Sequence, residues 1–543
     1  MAVFTINETT FNVTNGNNAN AFEGDSAGAD TLTVTIDGFL IALGNNSNGA
    51  RLANTGAWKV TVNGLIYSQE DDGIRLLAGN AAQSTITIGA DGEVSGNGSN
   101  KGAINIESAA KVTNAGVVSG ETFGILAQVP TTITNTGTIS GTAGGSFGIL
   151  AGAGTAGVYT VTNSGVILGG TAAYSDFFGV SDDKITNSGT MTGGLQLGNG
   201  NNSVTNSGTI DDIVAGSGND AIVNSKTITG DVLLGGGTDT VKNTGTVGGI
   251  VDLGAGNDVF TGGNFAETVR DADGSDTYKF GSGNDTYLAK RLAGGDGTDS
   301  VDGGTGIDTY DASGAAASLI INLDTVTHDL AAFGLPGAAT QLKNTATGAD
   351  VAGGAGTKDT VTNFENAKGG SGGGGDTIYG SSGANVLEGN GGNDSMLGFG
   401  GNDTLLGGAG FDFIAGGAGR DTLDGGIDGN QDRLIFTSTS DSTVGKAGRD
   451  RVVNFEDGFD VVDLTLIDAV AGGANDAFTL VNADSSVNPA GLFSGVAGQL
   501  RTQATATGWM IQGDVNGDQK ADFAIDIVDP THSVVLTAAD FLL

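Results

Sequence analysis

Two different hydrophobic periods run along this chain of 543 residues. In the first half, short alternations of Val, Ile and Thr enter and leave an Asn-x-Gly turn, as in KVTNAGVVSG from 111 and TITNTGTISG from 132. Such alternation predicts strands with one buried face, and one repeat predicts one coil of a parallel β-helix. Asn and Gly tolerate a left-handed turn, and stacked Asn side chains can form a ladder. The turn Asn recurs every 18 to 28 residues, at Asn114, Asn135, Asn163, Asn187, Asn206, Asn224 and Asn243.

The second period is nine residues long. From Ser371 to Asp424, six consecutive units follow G-G-x-G-x-D-x-U-x, where U is apolar. This pattern predicts a parallel β-roll in which two units make one coil and every U side chain points inward. The U positions are Ile378, Leu387, Met396, Leu405, Ile414 and Leu423. The predicted fold class is therefore all-β, a parallel β-helix continuing into a β-roll as one solenoid.

The turns of the roll have the chemistry of calcium sites. Calcium takes six to eight hard oxygens, and glycine lets backbone carbonyls approach closely while the sixth-position carboxylate supplies charge. Units on one side recur every second repeat, so one edge is predicted to carry Asp376, Asp394 and Asp412. The other edge is predicted to carry Asn385, Asp403 and Asp421, with the weakest site beside the neutral Asn385. A seventh unit, GGIDGNQDRLI, has a two-residue insertion before Asp432 and is predicted to end the roll.

The two periods blend between residues 196 and 311. Calcium-type turns first recur at the β-helix spacing of 18 to 19 residues, up to Asp258. The acidic residue then recurs every nine residues, through Glu267 to Asp285, and the nine-residue spacing resumes after a break at Asp299 and Asp308. The predicted metal ligands before the second roll are Asp220, Asp239, Asp258, Asp276, Asp285, Asp299 and Asp308. The predicted organisation is an N-terminal cap or docking segment (1–60), the β-helix (61–250), a first roll (251–311), a linking β-segment (312–370), a second roll (371–436) and a C-terminal region (437–543).

Composition restricts the partners. With 22 Lys and Arg against 61 Asp and Glu, the formal charge is −39, which disfavours binding to nucleic acid or anionic lipid and predicts a need for cations. The chain has no Cys and no run of eighteen apolar residues, so neither a disulfide framework nor membrane insertion is expected. Calcium sites of the extracellular class fill only at about 10⁻⁴–10⁻³ M, so we expect a secreted protein. The opening MAVFTINETTF does not resemble a secretory signal, so the export signal is expected at the C-terminus.

Two stretches resemble known families. The Asn-x-Gly repeats, with companions such as the Phe-Gly-Ile-Leu segments at 123 and 147, resemble the β-helical passenger regions of autotransporter proteins. The nonapeptide array, followed by DRLIFTSTSDSTVG and RDRVVNFEDGFDVVDLTLIDA, resembles RTX (repeats-in-toxin) proteins and the tail of serralysin-type proteases. The resemblance covers roughly the last 230 residues. It implies export by type I secretion machinery through an uncleaved C-terminal segment, and folding on external calcium.

Other candidate sites are weaker. Asp514, Asn516, Asp518, Lys520 and Asp522 occupy the odd positions of an EF-hand-like loop, but Gln519 and Ile525 stand where glycine and glutamate are needed. A polar β-turn is the alternative. Neither of the two histidines, His328 and His532, has the second histidine that a zinc protease motif requires. The pairs Asp71–Asp72, Asp182–Asp183 and Asp211–Asp212 could act on a polysaccharide, but solvated turns are the simpler interpretation.

These observations predict a non-enzymatic structural protein that self-associates through calcium, as the subunit of a surface layer or extracellular filament. Only Trp58 and Trp509 could serve as large aromatic platforms for sugars. The alternative is an RTX adhesin or a polysaccharide-binding matrix protein, with cell-surface polysaccharide as the partner.

Overall fold

Strands and turns make up nearly all of the described chain, which confirms the predicted all-β solenoid. The computed structural model describes residues 2–6, 12–14, 20–24, 30–53, 56–79, 82–152, 157–270, 273–289, 297–327, 343–347, 358–470, 472, 475–481, 492–529 and 533–543. The helices among these residues are two 3₁₀ turns, Lys446–Gly448 and Ala538–Asp540. Two units can be distinguished, Met1–Ala272 (unit 1) and Asp273–Leu543 (unit 2). No helix in the described ranges has the length and apolarity needed to cross a membrane.

Unit 1 is a stack of coils whose strands form three parallel sheets. The first sheet contains Val3–Ile6, Asp30–Val34, Trp58–Val62, Ser84–Ile88, Ala110–Asn114, Thr132–Asn135, Thr160–Asn163, Lys184–Asn187, Ser203–Asn206, Ala221–Asn224, Thr240–Asn243 and Val259–Thr261. The second contains Asn12–Thr14, Phe39–Ala42, Leu65–Ser68, Glu93–Gly96, Val117–Gly120, Thr138–Gly141, Val166–Leu168, Thr190–Thr192, Thr209–Ile210, Thr227–Ile228 and Thr246–Val247. The third contains Phe22–Gly24, Ala50–Leu52, Ile74–Leu76, Gly102–Ile106, Phe123–Ala127, Phe147–Ala151, Ala172–Ser175, Leu195–Gln196, Ile213–Val214, Val232–Leu233, Val251–Asp252 and Thr268–Arg270. A short extra pair, Gly236–Gly237 and Ala255–Gly256, lies at the turns.

Each repeat of the sequence stacks on the next in register. Thr132–Asn135 pairs with Thr160–Asn163 so that Ile133 faces Val161 and Asn135 faces Asn163. The apolar residue of each alternation is buried, and the Thr residues beside it are wholly or partly exposed. The residues before the first clear repeat follow the same rule, since Val3–Ile6 pairs with Asp30–Val34 and this strand pairs with Trp58–Val62. The described strands of the first forty residues thus form coils of the β-helix.

The predicted asparagine ladder is present. Nδ2 of Asn114 donates to Oδ1 of Asn135 over 2.8 Å, and Nδ2 of Asn135 donates to Oδ1 of Asn163 over the same distance. The contact repeats through Asn187, Asn206, Asn224 and Asn243, where Nδ2 donates to Oε1 of Glu267. Each of these asparagines is buried. Glu267, expected in the calcium series, instead ends the ladder of amides.

The expectation of left-handed turns at Asn-x-Gly is wrong. Neither the Asn nor the Gly of these turns has a positive φ. Glycine is required there by the neighbouring coil: a Cβ on Gly137 would lie 2.2 Å from the carbonyl oxygen of Gly116, and one on Gly165 would lie 2.1 Å from that of Gly137. Close stacking of coils, rather than backbone conformation, therefore selects glycine.

Unit 2 has two main sheets. The first contains Thr277–Lys279, Ser300–Asp302, Ile320–Asn322, Thr345–Thr347, Asp359–Thr362, Thr377–Tyr379, Ser395–Leu397, Phe413–Ala415, Arg433–Ile435, Val461–Asp463 and Phe541–Leu542. The second contains Thr286–Leu288, Thr309–Asp311, Asn366–Lys368, Val386–Gly391, Thr404–Ala409, Thr422–Asp424, Arg451–Val453, Thr479–Leu480, Gln499–Thr505, Gly508–Asp514 and Phe523–Val528. Two short pairs lie at the turns, Ser282–Gly283 with Thr305–Gly306 and Gly400–Gly401 with Ala418–Gly419.

The core of the second roll is the predicted one. All six U side chains, from Ile378 to Leu423, are fully buried. One outer face is also covered, because Tyr379, Leu397, Ala415 and Ile435 form a buried apolar cluster against Phe399 and Phe413. The sequence pattern did not predict this outer layer, since the nonapeptide rule leaves the ninth position undefined.

The seventh unit does not end the roll, contrary to the prediction. Arg433–Ile435 pairs with Phe413–Ala415 on one side and with Val461–Asp463 on the other. The inserted residues form a loop outside the stack, in which the N–H groups of Asp428 and Gly429 donate to Oε2 of Glu456. Stacking then continues into the C-terminal region, where Phe523–Val528 pairs with Arg451–Val453.

Candidate metal centre

The aspartate of each nonapeptide unit stands immediately before a strand, within reach of the next coil. The N–H of Asp376 donates to Oδ1 of Asp394 over 2.7 Å, and the N–H of Asp394 donates to Oδ1 of Asp412 over 2.8 Å. The same contact joins Asp412 to Asp432 at 2.9 Å and Asp432 to Asp460 at 3.1 Å. These residues form a continuous ladder of carboxylates along one edge of the roll.

A second ladder follows the opposite edge. The N–H of Asn385 donates to Oδ1 of Asp403 over 2.8 Å, and that of Asp403 donates to Oδ1 of Asp421 over 2.8 Å. The N–H of Asp421 continues the series to Oδ1 of Asp450, again over 2.8 Å. The residues predicted to share an edge are therefore neighbours in space on each side of the roll.

Sequence reasoning missed the last members of both ladders. Asp450 follows only two of the pattern's glycines, Gly445 and Gly448, and Asp460 follows only one, Gly458. Each aspartate is followed two residues later by a buried apolar side chain, Val452 or Val462. Asp359, whose Oδ1 accepts the N–H of Asp299, has the same relation to Val361. A search for D-x-U alone, without the glycines, would have found these positions.

The remaining predicted ligands form equivalent ladders. In unit 2 the N–H of Asp276 donates to Asp299, and the N–H of Asp285 donates to Asp308. In unit 1 the N–H of Asp220 donates to Asp239 and that of Asp239 donates to Asp258, both over 2.7 Å. All of these carboxylates are buried.

Nine ladder carboxylates among the described residues have one oxygen without a hydrogen-bond partner. Among the described residues, Oδ2 of Asp394, Asp403 and Asp412 is buried and has no hydrogen-bond partner. The same holds for Oδ2 of Asp220, Asp239, Asp308, Asp421, Asp432 and Asp450. Desolvating a carboxylate oxygen without a partner is unfavourable, so these atoms identify where a cation or a proton is needed.

Glycine provides the space around the leftover oxygen. A Cβ on Gly389 would lie 2.4 Å from Oδ2 of Asp394 and 2.6 Å from the carbonyl oxygen of Gly407. Gly398 has the same relation to Oδ2 of Asp403 and to the carbonyl oxygen of Gly416. A carboxylate oxygen and a backbone carbonyl of the following coil thus face the same small space, and both are hard donors that suit calcium. No group of three or more Asp, Glu, His or Cys side chains that could hold a metal ion comes together anywhere in the described ranges, the ladders included. Backbone carbonyl oxygens would therefore have to supply most of the calcium ligands in these turns.

Burial changes the proton affinity of these carboxylates. Desolvation raises the pKa of Asp403 and of Asp412 to about 8, although each accepts a backbone N–H that acts in the opposite direction. Desolvation likewise raises the pKa of Asp394 to about 6 and that of Asp432 to about 7. Neighbouring carboxylates raise the pKa of Asp412 further. A bound divalent ion would replace these protons and keep the carboxylates charged.

The EF-hand-like loop is held by its own backbone. Asp514 accepts the N–H of Gly517 and of Gln519 over 2.7 and 3.0 Å, and Asp522 accepts that of Val515 over 2.8 Å. Gln519 has a φ of +71° at the position where such loops use glycine. These contacts are those of a polar turn, and calcium binding by this loop stays a prediction.

The carboxylate pairs considered for catalysis differ from the expectation of solvated turns. Asp71 and Asp72 are buried, with Nζ of Lys101 3.0 Å from Oδ1 of Asp71 and the N–H of Gly102 2.9 Å from Oδ1 of Asp72. Asp183 is also buried, although Asp182 is exposed. In the third pair Asp212 is exposed, and Asp211 is half-buried and accepts the N–H of Gly193 over 2.8 Å. His328 and His532 lie outside the described residues.

Neither tryptophan forms an exposed platform. Trp58 is 1% exposed and packs edge-on against Phe22, with ring centroids 6.2 Å apart. Nε1 of Trp509 donates to the carbonyl oxygen of Val534 over 2.9 Å.

The fold and the ladders together define a β-solenoid with calcium-type turns. Residues 252–287, 291–310, 371–398 and 397–431 match the RTX calcium-binding nonapeptide repeat family, in four copies. RTX nonapeptide repeats bind several Ca²⁺ ions, and the matched ranges contain the predicted ligands from Asp258 to Asp421. Asp220, Asp239 and Asp432 lie outside the matched ranges.

A solved structure with similarity to this chain is the solution structure of the AlgE6R3 subunit from the Azotobacter vinelandii mannuronan C5-epimerase. It is 20% identical, with 31% of this chain and 77% of that chain covered and a TM-score of 0.16. No curated protein shows significant similarity to this chain.

Proposed function

We propose that this protein is a secreted, calcium-dependent structural protein whose copies assemble into a surface layer or an extracellular filament. The observation that carries the proposal is the outward edge of Val3–Ile6, the first described strand. Val3–Ile6 pairs with Asp30–Val34, and no other described strand pairs with it. An unpaired strand edge is a template for a second chain, and a surface with a charge of −39 needs divalent ions before copies approach.

The direction of the edge can be derived from its hydrogen bonds. Carbonyl oxygens of Ala2 and Ile6 accept N–H groups from the second coil, those of Thr31 and Thr35. Because residues alternate in direction along a parallel strand, the N–H of Thr5 points away from the second coil. This group is available to another copy.

Replacing Thr5 by proline removes that outward donor and leaves the inward bonds of the strand in place. We expect Thr5→Pro to prevent calcium-dependent polymers while Thr5→Ala still forms them. Negative-stain microscopy and light scattering, with calcium and after chelation, provide the measurement. A wild-type protein that stays monomeric at high concentration in millimolar calcium would contradict assembly.

Export is a second part of the proposal. We infer that the C-terminal region addresses the chain to type I secretion machinery. Truncation from Asp484 onward would also remove Phe523–Val528 and Phe541–Leu542, which pair with strands of the roll. A cleaner test is to fuse residues 437–543 to an unrelated reporter. The reporter should reach the medium only in cells that contain the secretion machinery.

The alternative function is that of an adhesin or polysaccharide-binding matrix protein, and one feature of unit 1 favours it. A groove of about 580 Å³ opens on the third sheet. It is lined by Leu126, Gln128, Phe147, Leu150, Ala151, Gly152, Ser175, Phe177, Phe178 and Gln196. Exposed aromatic faces beside amide side chains suit neutral sugars. Saturable binding of a soluble glycan, lost in Phe178→Ser while calcium polymers persist, would favour this function.

A further inference from the structure

A separate group of buried carboxylates lies in unit 1, outside the nonapeptide matches. The loop after strand Ala172–Ser175 has the sequence DFFGVSDD, residues 176–183, and leads into strand Lys184–Asn187. Asp176 and Asp183, at its two ends, are each 1% exposed, as is Ser181. Phe177 and Phe178 project from the same loop, 53% and 79% exposed. The loop therefore turns its acidic ends inward and its aromatic rings outward.

One hydroxyl joins the two carboxylates. Oγ of Ser181 donates to Oδ2 of Asp176 and lies 3.4 Å from Oδ1 of Asp183. A hydroxyl has a single proton and satisfies one carboxylate at a time. Oδ1 of Asp176 and Oδ2 of Asp183 are buried and make no hydrogen bond to any described residue. The Tyr174 hydroxyl faces Asp183 closely enough to lower the pKa of that carboxyl, although no hydrogen bond of normal geometry joins them.

The charges around this group do not balance. Burial, and then the carboxylate of Asp176, raises the pKa of Asp183 to about 8, although the hydroxyls of Tyr174 and Ser181 act in the opposite direction. The other charged neighbour of Asp183 is Asp182, which is also acidic, and no described Lys or Arg forms an ion pair with Asp176 or Asp183. Two buried like charges side by side are strongly unfavourable unless a cation or proton accompanies them.

The backbone closes tightly on the first carboxylate. A Cβ on Gly179 would lie 1.9 Å from Oδ2 of Asp176 and 2.0 Å from Oδ1. The N–H of Gly179 donates to the carbonyl oxygen of Asp176 over 2.6 Å. The loop therefore bends around the Asp176 carboxylate and holds it towards Ser181.

We propose that Asp176, Ser181 and Asp183 form a calcium site that fastens the Phe177–Phe178 loop to the β-helix. The donors are all oxygen, two of the atoms are buried without partners, and a hard divalent cation neutralises the pair. The site lies at the start of a ladder, because the N–H of Asp183 donates to Oδ1 of Asn202 and the N–H of Asn202 donates to Oδ1 of Asp220. Asp176 and Ser181 are additional oxygen donors that the glycine-rich turns do not supply. Because the loop lines the groove of unit 1, calcium at this site shapes that groove.

Limited digestion with chymotrypsin tests the site in the full chain, because the enzyme cleaves after the exposed Phe177 and Phe178. Mass spectrometry assigns the cleavage to this loop. At a calcium concentration ten times the dissociation constant, cleavage should slow about tenfold, since the open fraction falls in that proportion. Asp176→Asn and Asp183→Asn should each abolish this calcium dependence. The matched control is Asp182→Asn, because Asp182 is exposed and its Oδ1 accepts the N–H of Asn201 over 2.8 Å.

A second variant separates this site from the roll. Asp394→Asn with Asp412→Asn, which alters only the nonapeptide ladder, should leave calcium protection at Phe177 and Phe178 intact. The proposal is overturned if the wild-type loop shows no calcium dependence, or if both Asp176→Asn and Asp183→Asn retain it, because a shared proton would then balance the pair. It is equally overturned if Asp182→Asn or the roll variant loses the protection.

Discussion

The asparagine ladder of unit 1 and the aspartate ladders of unit 2 solve the same problem with different chemistry. In both, a polar side chain at the corner of each coil contacts the equivalent residue of the next coil. Nδ2 of Asn135 donates to Oδ1 of Asn163 and to the carbonyl oxygens of Gly137 and Val166. Asp394 accepts the N–H of Asp376 through Oδ1, and its Oδ2 has no partner among the described residues.

The difference lies in what each group can donate. An amide has both donors and an acceptor, so a stack of amides satisfies itself inside the protein. A carboxylate only accepts, so a stack of carboxylates always needs protons or cations from outside. The coils with the amide ladder therefore need no ions to satisfy their corners, whereas the folding of the coils with carboxylate ladders should depend on the protons or cations in solution.

Removal of calcium should have the largest effect, and it should destabilise the second roll but not the coils that carry the asparagine ladder. We expect the strands from Thr377–Tyr379 to Thr422–Asp424 to lose protection from hydrogen exchange in chelator, because their carboxylates then repel one another without compensation. The strands from Thr132–Asn135 to Ser203–Asn206 should stay protected. Hydrogen exchange followed by mass spectrometry gives both readings from one sample.

Magnesium is the natural control for that experiment, since it demands a small octahedral site and keeps its waters. It should restore little protection to the roll. Equal protection of the roll with and without calcium would show that protons alone balance the ladder.

The next largest effect is expected from a carboxylate placed in the amide ladder. Asn163→Asp removes the Nδ2 donor from Oδ1 of Asn187 and from two carbonyl oxygens, and it buries a charge. We expect a loss of about 3–5 kcal/mol, the usual cost of an uncompensated buried charge. Thermal unfolding in excess calcium measures it. Asn219→Asp is the matched control, because Asn219 is exposed and its side chain only accepts the N–H of Thr238; its melting temperature should stay close to that of the wild type.

The reverse exchange should weaken the link between folding and calcium. Asp394→Asn with Asp412→Asn keeps Oδ1 as an acceptor and removes two charges from one edge. We expect the roll to be more folded in chelator than the wild-type roll, and to need more calcium for saturation. Circular dichroism during a calcium titration reports both quantities. If the variant folds with the same calcium midpoint as the wild type, Asp394 and Asp412 do not bind calcium.

Acid should partly replace calcium. Burial raises the pKa of Asp403 and Asp412 to about 8, far above the value in an unfolded chain. A raised pKa contributes stability that is complete below the unfolded value, near 4, and is lost as the pH rises through the folded value. Calcium-free protein should therefore show more β structure at about pH 5 than at about pH 8.

The calcium response should have the opposite sign, because the ion must displace those protons. The midpoint for calcium is expected to fall as the pH rises from about 5 to 8. Circular dichroism of metal-depleted protein, without chelator because chelators also titrate, measures both trends. A pH-independent calcium midpoint would mean that the ladder carboxylates are already charged before calcium binds.

Much of this comparison is visible in the sequence, because both ladders follow from spacing. The repeat of Asn-x-Gly predicts which asparagines meet, and the period of nine predicts which aspartates share an edge. The apolar U positions, such as Met396, are buried as expected. Where a regular repeat exists, one coil constrains the next and local pattern is sufficient.

The sequence was less informative where the coils are interrupted. The insertion before Asp432 suggested an end to the roll, but a loop outside the stack absorbs it and leaves the register unchanged. Asp71 and Asp183 were expected in solvent, and burial by neighbouring coils cannot be read from adjacent residues alone. The covered outer face around Tyr379 and Leu397 likewise depends on contacts distant in sequence.

The smallest effect is expected at Asn385, the neutral residue in the predicted edges of the second roll. Asn385 occupies a ladder position, but its Nδ2 donates to the carbonyl oxygen of Glu365 and to Oγ of Ser381. Asn385→Asp adds a carboxylate at a position that is neutral in the wild type, whereas Asp403 and Asp421 on the same edge are charged. The substitution also removes the two hydrogen bonds that Nδ2 donates. The gain in calcium affinity should therefore be modest, roughly threefold or about 0.7 kcal/mol. The calcium midpoint should fall while stability in chelator also falls, since the new carboxylate has no donor of its own. An unchanged midpoint with reduced chelator stability would show that Asn385 serves only to join the coils at this edge, and that no ion is held beside it.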